Sequence, residues 1–341
     1  MAAEPIRVLV VDDSAFARKV VRECLTAAGI DVVGTAHDGF EALEKIAELS
    51  PDVVTLDLMM PNLDGIGVLS ALSGKPRPRV VVVSTSDSDS SLGIAALHDG
   101  AFEVVHKPTV LAGSELYQIG EKLVDVVRAA AAAIPRTVIQ VPEGPAKLSA
   151  LTTSRELLVV GASTGGPQAL ARLVSSLPAN FPVPVAIVLH IPPGYTAALA
   201  ERLNKTSALE VAEAAEGMNL NPGKVVIARS GYHLKVKRKG GHLLCRLDLL
   251  PQETQHRPAV DVLFQSAAKA VGAGALGVVL TGMGHDGLAG AQAICAKGGS
   301  VLTESESSCV VYGMPRSVVE AGLSAADAPI ERMAEEIIRY L

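Results

Sequence analysis

Two α/β domains joined by a linker, each built on a parallel sheet, are the fold this sequence predicts, and three observations predict it. The 341 residues suffice for two domains of about 150 residues each. Hydrophobic residues make up 49% and charged residues 19%, with five Tyr, five Phe and no Trp, so the cores must be built from Val, Ile, Leu and Ala. That mixture suits Val-rich parallel strands covered by Ala-rich helices. Short Val/Ile/Leu runs also alternate with helix-period stretches twice along the chain, and a Pro-bearing stretch separates the two series.

In chain order, Ile6–Val11 reads as a strand, and Phe16, Val20, Val21 and Leu25 follow at helical spacing. Val53–Leu58 and Val80–Val83 are further strands, and Val104 and Val105 close the series, which gives a first domain over residues 4–127. Residues 134–154 hold Pro135, Pro142, Gly144 and Pro145 among polar residues without a sustained period and read as a linker. The pattern restarts at Leu157–Val160 and continues through Val185–Leu189, Val225–Ile227 and Leu276–Leu280 to a helix near Glu331–Tyr340, a second domain over 155–341. Between Tyr232 and Leu250, alternating apolar residues flank Lys239-Gly240-Gly241, which predicts a β-hairpin. The basic residues Lys235, Lys237, Arg238 and Lys239 lack interleaved aromatics, so they read as a solvated hairpin tip and no nucleic-acid partner is expected.

Composition removes several other classes. The four cysteines, Cys24, Cys245, Cys295 and Cys309, form no C-x-x-C pair, which argues against a disulfide framework and a thiolate metal site. No secretory signal is read at the N-terminus. The longest run without Asp, Glu, Lys or Arg, Leu173–Ala200, is broken by five prolines, so no membrane insertion is expected and a cytoplasmic location is predicted. The formal charge of −6 divides unevenly, with −8 on residues 1–124 and +2 on residues 125–341.

Asp12 and Asp13 end the first strand, Asp57 the third, Ser84 follows the fourth and Lys107 the fifth. In a parallel sheet these positions share the carboxyl edge, where ligands bind at the topological switch point. Three converging carboxylates repel one another unless a divalent cation joins them, and Mg²⁺ suits such a set. One carboxylate can then attack a phosphoryl group while a Lys and a hydroxyl neutralise the arriving oxygens. Val11-Asp12-Asp13-Ser14, Leu56-Asp57-Leu58-Met59-Met60-Pro61, Asp64-Gly65 and Lys107-Pro108 resemble the receiver domain of two-component response regulators. The resemblance implies a flavodoxin-like five-stranded parallel sheet, phosphorylation of Asp57 by a histidine kinase, Mg²⁺ on Asp12, Asp13 and Asp57, and phosphoryl sensing by Ser84 or the adjacent Thr85 with Lys107. Val104 stands where many receivers carry an aromatic switch residue.

The second domain carries another constellation. Gly161-Ala162-Ser163-Thr164-Gly165-Gly166 joins a strand to a helical stretch, and small residues there can cradle a phosphate. Its spacing fits neither dinucleotide nor P-loop fingerprints, and the loop by itself leaves phosphate binding open. Two other strand ends carry His190 and Asp286, so a hydroxyl, an imidazole and a carboxylate stand at three carboxyl ends, the set that acyl transfer requires. Gly-rich loops around Ser163 and Met283 offer amides for an oxyanion. The order Ser, His, Asp and the lack of a G-x-S-x-G elbow set the chain apart from α/β-hydrolases. His285 competes with His190 for the role of base, while His37, His98, His106, His233, His242 and His256 read as surface or structural residues.

The same loops, with His190-Ile191-Pro192-Pro193-Gly194, Arg257-Pro258, Leu280 through Gly287 and Tyr312-Gly313-Met314-Pro315, resemble the catalytic domain of chemotaxis protein-glutamate methylesterases, a family that joins a receiver to an esterase. The family's pattern departs at Ala228-Arg229-Ser230-Gly231. The resemblance implies a doubly wound α/β domain in which Ser163 is the nucleophile, His190 the base, Asp286 its partner, and Thr164 and Met283 shape the oxyanion pocket. It further implies hydrolysis of glutamate methyl esters on methylated chemoreceptors, with deamidation of receptor glutamines as a related activity and no cofactor for the esterase step. The competing reading is a response regulator whose second domain only binds a nucleotide or a protein; replacing Ser163 separates the two.

Overall fold

The computed structural model describes residues 5–74, 78–84, 90–107, 114–133 and 154–341. The chain divides into two compact units, one ending at Val138 and the other beginning at Ile139. Of the expected linker, only Ser154 is among the described residues, and Thr85 lies outside them as well.

The first unit runs β1 (Arg7–Val11), α1 (Ala15–Ala27), β2 (Asp31–Ala36), α2 (Gly39–Leu49), β3 (Val53–Leu56), α3 (Gly65–Leu72), β4 (Arg79–Ser84), α4 (Ser90–His98), β5 (Glu103–His106) and α5 (Ser114–Ala132). Its sheet is parallel throughout, in the order β2-β1-β3-β4-β5. The winding order reverses between the parallel strands β1 and β3, so their carboxyl ends open the crevice where Asp12 and Asp57 stand. Helix starts are fixed by side-chain caps: Ser14 accepts from the Ala17 amide at 3.3 Å, Asp38 from Glu41 at 2.9 Å and Asp64 from Gly67 at 2.7 Å. Asp64, part of the receiver-like motif, is therefore the cap of α3. β3, with all four residues buried, shows no alternation, as expected for a strand covered on both faces.

The second unit runs β6 (Leu157–Ala162), α6 (Gly166–Ser176), β7 (Val185–Leu189), α7 (Tyr195–Thr206), β8 (Glu210–Glu213), β9 (Asn219–Leu220), β10 (Lys224–Ile227), β11 (His233–Lys239), β12 (His242–Asp248), α8 (Val260–Val271), β13 (Ala275–Val279), α9 (Leu288–Ala296), β14 (Ser300–Glu304), α10 (Met314–Glu320), β15 (Ala326–Ala328) and α11 (Ile330–Tyr340). Seven strands form a parallel sheet in the order β15-β14-β13-β6-β7-β10-β8. The switch point falls between β6 and β13. The hairpin is β11 and β12, with Lys239 opposite His242 and both Gly240 and Gly241 at positive φ, the two-residue turn that suits strand twist. It packs on α8, and α8 in turn lies on β6, where a Cβ at Gly161 would collide with Val260. α11 buries Ile330, Met333, Ala334 and Ile337, a single stripe at helical spacing. Among the described residues no helix is long and apolar enough to cross a membrane.

Candidate active site and acidic pocket

β6 ends on Ala162, and the chain continues into Ser163 between two neighbouring strand ends. On one side the His190 amide donates to the Ala162 carbonyl at 3.1 Å; on the other the Ser163 amide donates to the Thr281 carbonyl at 3.0 Å. Ser163 is thus flanked by the residue that follows β7 and by the loop that follows β13. Gly282 makes the second approach feasible, because a Cβ there would lie 2.8 Å from the Ser163 Cβ.

Asp286 reaches His190 from the same loop. Its Oδ2 accepts from His190 Nε2 at 2.8 Å, with side chains only 14% and 8% exposed. It also accepts the Val260 amide at 2.8 Å on Oδ2 and the Asp261 amide at 2.9 Å on Oδ1, both at the start of α8. Burial opposes ionisation of Asp286, but the His190 hydrogen bond, the His190 charge and the two amides outweigh it and hold the carboxyl below the usual range. With Nε2 committed to Asp286, the other ring nitrogen of His190, Nδ1, is buried and has no hydrogen-bond partner. Among the described residues no hydrogen bond joins Ser163 Oγ to His190.

Thr164 is buried, and its carbonyl accepts the Thr281 hydroxyl at 2.9 Å. Thr281 is held by Glu304, whose Oε2 accepts the Thr281 amide at 2.8 Å and whose Oε1 accepts the Ser308 hydroxyl at 2.8 Å. Met283 is half-buried beside Gly282, which pairs with Tyr312. His285 is exposed, whereas His190 is largely buried on Asp286, so Asp286 is committed to His190.

Three residues of this site escaped the sequence reading. His256, taken there as surface or structural, stacks on His190 with ring centroids 4.0 Å apart. Its only signal was its place directly before Arg257-Pro258. Asp261 accepts the Gly287 and Gly290 amides at 2.9 and 2.7 Å, and burial pushes its carboxyl above the usual range. Glu304 lies at the end of β14, a strand without a sequence signal.

In the first unit, Asp12, Asp13 and Asp57 each offer a carboxylate oxygen, all within 4.8 Å of one another. Asp12 and Asp57 are buried and Asp13 is exposed. Lys107 Nζ lies 2.7 Å from both Asp12 Oδ2 and Asp57 Oδ2. Burial raises the Asp57 carboxyl, only partly offset by the Lys107 hydrogen bond and charge; burial works against the Lys107 ammonium, but the two carboxylates outweigh it and raise it. Ser84 is buried at the end of β4, and its carbonyl accepts the Lys107 amide at 2.6 Å, so the hydroxyl residue and the cation sit on adjacent strand ends. Val104 is buried within β5.

The CheB methylesterase family matches residues 158–337, and the response regulator receiver domain matches residues 8–118. The chain is 58% identical to the protein-glutamate methylesterase/protein-glutamine glutaminase 5 of Myxococcus xanthus over 99% of its own length and 98% of that protein. It is 40% identical to the protein-glutamate methylesterase/protein-glutamine glutaminase of Thermotoga maritima over the full length of both. The crystal structure of the Thermotoga maritima CheB methylesterase catalytic domain superposes with a TM-score of 0.54 at 41% identity, covering 55% of this chain and all of that one. The two family matches and the identity over nearly the whole chain therefore place it in the CheB methylesterase family, in the form that carries an N-terminal response regulator receiver domain.

Proposed function

We propose that this chain hydrolyses glutamate methyl esters on methylated chemoreceptor cytoplasmic domains and deamidates receptor glutamines, under the control of phosphorylation at Asp57, as the names of its relatives suggest. The observation that carries the reading is the buried His190, bound to Asp286 through Nε2 and left with an unpartnered Nδ1, on a strand end whose amide bonds the carbonyl of Ala162, the residue before Ser163. Asp286 fixes the tautomer that leaves Nδ1 bare, so His190 can take the Ser163 proton as Oγ attacks the ester carbonyl. The amides of Thr164 and Met283 are the donors assigned to the developing oxyanion. His190 then returns the proton to the departing methanol, and water, activated by the same nitrogen, releases the glutamate. Hydrogen bonds between nucleophile and base are often long before substrate binds and tighten afterwards, which accounts for the open Ser163–His190 pair. A module that merely binds would have no use for this histidine, carboxylate and hydroxyl on three neighbouring strand ends.

We read residues 4–127 as the receiver, 134–154 as the linker and 155–341 as the catalytic domain. Asp57 is the phosphoacceptor, and Ser84 and Lys107, with Thr85 outside the described residues, meet the phosphoryl oxygens. Three hard carboxylate donors within reach of one another fit Mg²⁺, which Asp12, Asp13 and Asp57 would hold and which would neutralise the charge of the incoming phosphoryl group. A histidine kinase is the donor, and the cytoplasm is where kinase, receptor tails and this chain meet. Methanol release from methylated receptor, assayed with the full chain and a small-molecule phosphodonor, tests the proposal. Release that depends on Ser163 is expected; undiminished release by Ser163→Ala would overturn it.

A further inference from the structure

Among the described residues, the His190 side chain is held by one hydrogen bond. Asp286 secures Nε2 at 2.8 Å, while Nδ1 has no partner. A single bond to a planar ring acts as a hinge: the imidazole can tilt about it and carry Nδ1 away from Ser163 with little change at Nε2. A face contact supplies the missing constraint. The His256 ring lies against His190 with centroids 4.0 Å and planes 27° apart, a stacked arrangement.

The backbone that carries His256 is itself pinned. Gly231 donates its amide to the Arg257 carbonyl at 3.0 Å, and the Ala259 amide donates to Nδ1 of the buried His233 at 3.2 Å. The next two amides, of Val260 and Asp261, are those that hold Asp286. One six-residue stretch, residues 256–261, therefore grips the base by its face and the base's partner by its oxygens. We propose that His256 is a positioning residue that keeps the His190 ring aimed at Ser163 by stacking; this rests on the reading of His190 as the base.

The test uses the full-length chain with phosphodonor and methylated receptor. His256→Ala is expected to lower kcat by about 10- to 100-fold, the scale of a misplacement near 1 Å, with KM little changed. His256→Phe, which restores a flat ring, is expected to recover most of that loss. Should His256→Ala fail to fold, His256→Leu supplies bulk without an aromatic face and is read in the same way. Wild-type kcat in His256→Ala, a loss confined to KM, or a Phe variant as slow as the Ala variant would each overturn the proposal. Imidazole relaxation spectra give a readout that needs no turnover: the His190 ring, its proton kept on Nε2 by Asp286 throughout, should be rigid in wild type and His256→Phe and gain motion in His256→Ala. An unchanged His190 signal in His256→Ala overturns positioning, whereas the expected spectra from a chain that releases no methanol would count against the esterase reading alone.

Discussion

Asp261 and Asp286 cap each other's helices: Asp286 takes the Val260 and Asp261 amides at the start of α8, and Asp261 takes the Gly287 and Gly290 amides at the start of α9. The exchange ties the loop bearing Asp286 to the helix that packs on β6. Both carboxylates sit at helix N-termini, where unpaired amides favour negative charge. Asp261→Ala removes both hydrogen bonds of the α9 cap, leaves the α8 cap on Asp286 in place, and should cost about 1–2 kcal/mol of stability. Because Gly287 adjoins Asp286, turnover should also fall by roughly 10-fold as the His190 contact loosens. Thermal unfolding and kcat of this variant check the point; a variant unchanged in both would show that the reciprocal caps carry no weight.

Removing any one of the three residues proposed for catalysis should be far more severe. Ser163→Ala, His190→Ala and Asp286→Ala are each expected to lower turnover by on the order of 10³ or more, and the combined variant should be little worse than the worst single one, because such residues act as a unit. Losses that multiply would show three independent contributions instead.

Much of this site was legible in the sequence because its chemistry stands at strand ends. Val-rich runs mark buried strands, and a polar residue directly after such a run must lie at the sheet's carboxyl edge, as Asp57, His190 and Lys107 do. The short edge strands β8, β9 and β15 gave no comparable signal, since a half-exposed strand such as Glu210–Glu213 carries one buried residue. His256 and Asp261 were illegible for a different reason. Their places depend on long-range contacts that no local spacing encodes, and which His190 ring nitrogen is left without a partner is set by the Asp286 contact.

The receiver makes its own prediction. With Mg²⁺ and a small phosphodonor, one acid-stable, base-labile acyl phosphate should form on Asp57, because the buried carboxylates need a cation before a further anion can approach. Asp57→Asn labelled as strongly as wild type would show the assignment to be wrong.

Phosphorylation should then raise turnover of the intact chain. A shift from about 99% inactive to about 50% active needs roughly 2.7 kcal/mol, within reach of one charged switch. Asp57→Asn should stay at the unphosphorylated rate, and a fragment beginning near Thr153 should ignore phosphodonor altogether. Turnover measured on all three with and without donor decides it; a fragment that responds to donor would place the control outside Asp57.

His233 predicts how the catalytic unit responds to acid. It is fully buried, accepts the Ala259 amide on Nδ1 and faces the Pro251 carbonyl at 3.0 Å through Nε2, so the fold requires the neutral ring with its proton on Nε2. Burial lowers its pKa, and nearby Arg257 and Lys235 add to the effect against the Pro251 hydrogen bond and the Asp248 charge. The unfolded chain, with an ordinary histidine titrating near about 6.5, therefore binds a proton that the folded chain refuses. The stability contributed by neutral His233 is complete above the unfolded value and is lost progressively as pH falls from there toward the lower folded value, at no more than about 1.4 kcal/mol per pH unit. His233→Gln can keep polar contacts without a titrating proton, so it should be less stable than wild type at neutral pH and lose less between about pH 6.5 and 5. Denaturant unfolding of both proteins across that window measures the difference. Parallel slopes would mean that His233 is not the proton-linked group. A shallower slope for the variant would place the acid sensitivity on the residue that anchors the loop carrying His256.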